Sequence, residues 1–94
     1  MAHTTNGKRY ATIDQVELRP YYSDIVNGSL TDAFQVTING HILGDVHKRS
    51  DRAANGEWWI MDKQHQSHYA PTLTAAIYTI LNVANPLPEE YFHA

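Results

Sequence analysis

Apolar and polar residues alternate most clearly over AFQVTINGHILGDVH, residues 33 to 47. Phe34, Val36 and Ile38 are separated by Gln35 and Thr37, the period-two pattern of a half-buried strand. Asn39-Gly40 then supplies the positive φ that a type I′ hairpin turn demands. The two signals conflict over register. A two-residue turn sets Val36 opposite Leu43 and Phe34 opposite Asp45. A three-residue loop aligns Ile38, Val36 and Phe34 with Ile42, Gly44 and Val46, which the apolar pattern prefers. The stretch predicts a hairpin whose register stays open.

Three further segments carry structure. KRYATIDQVELRP (8 to 20) is rich in β-formers, with Val16 and Leu18 between Gln15, Glu17 and Arg19, so it predicts a strand ended by Pro20. EWWIMDK (57 to 63) predicts another strand. TLTAAIYTILNVAN predicts the one helix: Leu73, Ala76, Ile77, Ile80, Leu81 and Ala84 recur at helical spacing, Thr72 can cap the start, and Asn85-Pro86 ends it. The intervening YYSDIVNGSLTD (21 to 32), KRSDRAANG (48 to 56) and QHQSHYAP (64 to 71) read as connections. The expectation is a single α+β domain over 1–94, a three- to four-stranded antiparallel sheet under one C-terminal helix (β-β-β-β-α). Residues 1–7 read as a disordered start, and 86–94 as an extended, proline-containing tail in which Tyr91-Phe92 either packs back or docks elsewhere. No element is predicted to cover the second face of the sheet.

Composition sharpens this outline. The chain has 94 residues, 43% of them hydrophobic and only 18% charged, low for a small domain with much surface to solvate. Part of the uncharged surface is therefore expected to meet a partner or a second copy, making the protein a homodimer. The net charge is −3, unlike the basic footprint of a nucleic-acid binder. There is no cysteine, no signal-peptide core and no apolar run near the roughly 20 residues of a membrane span. A cytoplasmic location without membrane association is expected. NGS at 27 to 29 reads as a turn rather than a glycosylation acceptor.

Four features are candidates for function. The helix carries no charged residue, so its outer face (Thr74, Tyr78, Thr79 and Asn82, with Ala75 and Val83 at the flanks) is either a polar solvent face or a protein interface. The tryptophan pair is the second. In a strand Trp58 and Trp59 point to opposite faces. Ile60 favours Trp58 inside and Met61 favours Trp59 inside; Trp59 shares its face with Glu57 and is the preferred outward ring, which either lies flat on the sheet under the N-terminal segment or is a binding hot spot when desolvated. Third, Asp62, His65 and His68 have a spacing that can hold a metal, although no helix holds the two imidazoles, and solvated loop histidines are the plainer reading. Fourth, Lys48, Arg49 and Arg52 in HKRSDR can touch nucleic-acid phosphate or simply be a solvated loop. No phosphate-binding glycine loop, nucleophile elbow or zinc-finger spacing is present, so no catalytic residue and no cofactor are expected.

The pattern FQVTINGHILGDV…GEWWI…PTLTAAIYTIL over residues 33 to 84 resembles small sheet-plus-helix proteins of phages and other mobile elements. One subgroup, the three-stranded arm-site DNA-binding domains of phage integrases, implies a sheet laid in a DNA groove; this chain departs from it in being acidic, with few Lys/Arg on its strands. The other, compact phage proteins that bind and inhibit host enzymes or defence complexes, implies a non-enzymatic inhibitor that occludes a site on a protein partner.

Overall fold

The computed structural model describes residues 7–20, 25–26, 29–30, 33–48 and 58–93. It is an α+β fold built on a five-stranded antiparallel sheet in the order β2-β5-β6-β7-β8. The strands are β2 (Glu17–Pro20), β5 (Ala33–Ile38), β6 (His41–Lys48), β7 (Trp58–Met61) and β8 (Ser67–Ala70). Two small two-stranded pairs flank it: β1 (Lys8–Arg9) with β9 (Leu87–Pro88), and β3 (Ile25–Val26) with β4 (Ser29–Leu30). Among the described residues one α-helix, α1 (Leu73–Ala84), packs on β6, β7 and β8.

The hairpin conflict is resolved by using both registers. Asn39 and Gly40 take φ of 50° and 85°, the positive values of the tight turn. Beside it Ile38 pairs with His41 and Thr37 with Ile42, the two-residue register. Then the ladder shifts, and Val36 pairs with Gly44 and Phe34 with Val46. Leu43 is the extra residue, a β-bulge whose side chain is fully buried. One inserted residue thus satisfies the turn chemistry and keeps Val36 and Val46 inside.

The helix follows its apolar spacing. Ala76, Ile77, Ile80 and Leu81 are buried, with Leu73 and Ala84 packed beside them. Thr72 Oγ1 accepts the Ala75 amide at 3.1 Å, the expected cap. Gly44 lets the helix come close: a Cβ there would lie 2.6 Å from the Met61 carbonyl oxygen and 3.1 Å from Ile80 Cδ1. Asn85 ties the helix end to the N-terminal segment, accepting from Ala11 N at 2.9 Å and donating to Ala11 O at 3.0 Å.

Three expectations are corrected. The sheet has five strands rather than three or four, because Ser67–Ala70, read as part of a polar loop, pairs along the whole of β7. The cross-strand partners Trp58 to Met61 hold a segment whose own residues are mostly polar. Residues 8 to 20 form a strand only at Lys8–Arg9 and Glu17–Pro20, with a 3-10 turn at Ile13–Gln15 between them. The tail is extended only at β9, which pairs with β1 and buries Leu87; a 3-10 turn at Glu89–Phe92 follows, and Tyr91 and Phe92 pack back on the core, one of the two alternatives for them. The expected disordered start lies, apart from Gly7, outside the described residues, as does most of the 21 to 32 connection. No helix among the described residues is long and apolar enough to cross a membrane.

Candidate functional site

Cross-strand partners in an antiparallel ladder share a face, so the register sorts the side chains. Leu18, Val36, Val46, Trp58, Ile60 and Ala70 lie on the α1 side. Arg19, Gln35, Asp45, His47, Trp59, Met61, Ser67 and Tyr69 lie on the other. Ring contacts agree with this sorting. Trp58 stands 6.4 Å from Phe34 and packs against the core, whereas Trp59 stands 5.1 Å from His47 at an interplanar angle of 54°. Trp58, a candidate contact residue by sequence, is a core anchor; Trp59 is the outward ring.

Trp59 sits mid-row between two cross-strand neighbours, His47 on β6 and Tyr69 on β8. Tyr69 is 57% exposed. His47 Nε2 lies 2.6 Å from Asp45 Oδ2, so the carboxylate orients the imidazole beneath the indole. The next row is Asp45, Met61 and Ser67. Toward the hairpin tip this face opens into a shallow depression of about 250 Å³ between exposed Ile42, Asp45, Met61, Lys63 and His65. The result is an aromatic and apolar strip with one carboxylate–imidazole pair, and Glu17 and Arg19 at its β2 margin. Sequence reasoning missed Tyr69 and the Asp45–His47 pair. The signal for the pair was present: in a strand, residues two apart share a face, and DVH reads as one.

The three metal candidates do not converge. Asp62 lies at the end of β7 with its side chain buried, and it accepts from the Gln64 amide at 2.8 Å, the Gln66 amide at 2.9 Å and His68 Nε2 at 2.7 Å. Its oxygens hold the β7–β8 turn together. Burial pushes the carboxyl up, but the Gln66 amide, the His68 ring and the Gln64 amide outweigh this and hold it below the ordinary carboxylate value. His65 is exposed at φ 64°, and its amide, not its ring, bonds to the Asp62 carbonyl. No group of three metal-ligating side chains comes together among the described residues.

Of the basic run, Lys48 pairs with Trp58 and so belongs to the α1 side, away from Trp59, while Arg49 and Arg52 lie outside the described residues. On the helix, Thr74, Tyr78 and Asn82 are all exposed, Tyr78 by 48%. No family model, curated protein or solved structure matches this chain. The likeness to phage proteins therefore rests on residue pattern alone.

Proposed function

We propose that this chain is a non-enzymatic binding module that covers a site on a protein partner with the sheet face opposite α1, Trp59 at its centre. The observation that carries this reading is the Trp59 row. An indole, an exposed phenol and an oriented imidazole stand side by side on the face that the helix leaves uncovered. Large, stiff aromatic side chains gain much on desolvation and lose little rotamer freedom, so such a row suits a protein contact. Around it the described charges are mixed, Asp45 and Glu17 beside Arg19, which disfavours a phosphate backbone as the partner. An inhibitor that occludes its target, as the phage-like pattern suggests, needs only such a surface.

The test is capture of partners from a host lysate by immobilised protein, with identification by mass spectrometry. Trp59→Ala is expected to abolish a saturable, competable interaction, while the core-conservative Trp58→Phe keeps it. Capture indifferent to Trp59→Ala would overturn the reading. A salt-dependent gel shift lost in Lys48→Ala would favour nucleic acid instead.

A further inference from the structure

The 3-10 turn at Glu89–Phe92 touches two regions far from it in sequence. On one side Arg9 Nε and Nη2 donate to Glu89 Oε1 and Oε2 at 3.1 and 2.6 Å, and the guanidinium lies 4.3 Å from the centre of the Phe92 ring. On the other side Tyr91 sits against the hairpin tip and the end of β7. Asn39 Nδ2 donates to its carbonyl at 2.9 Å, the His41 imidazole stacks on its ring at 4.5 Å, and Lys63 Nζ donates to its hydroxyl at 2.7 Å. Leu87, just before the turn, is fully buried, whereas Tyr91 and Phe92 are half-buried. The Arg9 and Glu89 side chains are 53% and 45% exposed, so their pairing adds little stability and is screened by salt. The turn is therefore able to open while buried Leu87 keeps its base in place. Lys63 gives that opening a consequence. It also lines the depression at the hairpin end of the Trp59 face, beside Ile42, Asp45 and Met61.

We propose, resting on the reading of the Trp59 face as a binding surface, that the Glu89–Phe92 turn is a latch that regulates this face by withholding the Lys63 ammonium from the depression. With the latch closed, the ammonium is held by the Tyr91 hydroxyl, 5.1 Å from the centre of the ring. The depression then offers a partner the apolar side chains of Ile42 and Met61 and the Asp45 carboxylate, whose Oδ2 is bonded to His47. With the latch open, the ammonium is released on its long, flexible stem and adds a positive charge beside Asp45. A partner that presents a carboxylate to the depression binds the open state better and so draws the latch open. The two ends of the turn act together. The Arg9–Glu89 pair touches neither Lys63 nor Tyr91, yet it fixes the turn on which the Tyr91 ring is carried. Loosening either end frees Lys63.

The reactivity of Lys63 reads the latch without any partner. Lys8 is exposed, its ammonium has no partner among the described residues, and it serves as the reference. Under trace acetylation by acetic anhydride, followed site by site by mass spectrometry, Lys63 of the wild type is expected to react more slowly than Lys8. Tyr91→Phe keeps the ring and removes only the hydroxyl; it should raise the Lys63 rate roughly three- to tenfold, the range of one hydrogen bond, with Lys8 unchanged. Glu89→Gln, at the far end of the turn, should also raise it, an effect that an isolated Lys63–Tyr91 bond would not transmit. About 1 M salt should do the same to the wild type, relative to Lys8. The His93 amide, which donates to the Glu90 carbonyl at 3.3 Å, should exchange faster in Glu89→Gln while the β6 and β7 amides keep their protection, so that the sheet is seen to be intact. Equal wild-type rates at Lys63 and Lys8 overturn the proposal, as does a Lys63 rate indifferent to Glu89→Gln. Lys63 rates that respond as expected, in a protein whose partner capture is indifferent to Trp59→Ala, overturn the binding reading of the face instead.

Discussion

The two faces of one sheet set neighbouring residues to different work. On the α1 side Trp58 packs with Phe34, and Ile60, Val46 and Val36 are fully buried beneath the helix. On the other side Trp59 leans on His47, with Tyr69 exposed beside it. The two carboxylate–imidazole pairs divide in the same way. Asp62 is buried and spends its oxygens on two turn amides and His68, whereas Asp45 is half-buried and holds His47 under an indole. The buried apolar side chains therefore lie mostly on the α1 side, with Ala33 and Thr37 the buried strand residues of the other. Residue type does not separate them; each has a tryptophan, an aspartate and a histidine.

The contrast breaks first, if it breaks at all, on core truncation. Ile60→Ala is expected to lose about 3 kcal/mol in urea unfolding, from transfer and cavity effects, while Trp59→Ala loses about 1 kcal/mol or less. Equal losses would mean that the Trp59 face is as closely packed as the core. Gly44→Ala comes next, at about 2 kcal/mol, because the new methyl meets the Met61 carbonyl oxygen, a backbone atom with little room to move. Asp62→Ala should also lose about 2 kcal/mol, with buried hydrogen bonds left unmade, against about half that for Asp45→Ala.

The pH dependence sharpens the same pair. The Asp62 carboxyl is held below its ordinary value in the folded state, so its contribution is full above the unfolded value of about 3.9 and fades as pH falls through the folded one. Melting curves across acid pH should show wild type losing stability in that window and Asp62→Ala losing less. Parallel curves would remove the role assigned to the buried carboxylate. The smallest effect is at the helix start, where Thr72→Ala should cost about 1 kcal/mol, read as a thermal shift of roughly 4–8 °C. Nothing on the Trp59 face should change with it.

Much of this molecule was legible from short-range pattern. The turn at Asn39-Gly40, the capped helix with its apolar stripe and the alternation of Phe34, Val36 and Ile38 all appear where their residues point. Each is governed by interactions within a few residues: φ preference at the turn, the Thr72 hydroxyl at the cap, side-chain direction along a strand or helix. β8 was not legible, because Ser67–Ala70 has weak preferences of its own and extends only against β7. The metal-like spacing of Asp62, His65 and His68 dissolved for the opposite reason. Backbone amides close in sequence, invisible in a residue pattern, took the carboxylate first.

Alternation along EWWIM required the two indoles to part company, and that much followed from strand geometry alone. Which ring went inside depended on which face α1 came to cover, and Ile60 and Met61 argued for opposite answers. The bulge at Leu43 is of the same kind: it exists because β5 and β6 must satisfy a tight turn and a shared core at once. A strand has two equivalent sides until something packs on one of them. The choice between Trp58 and Trp59, and with it the candidate binding face, came from long-range burial that no local pattern contains.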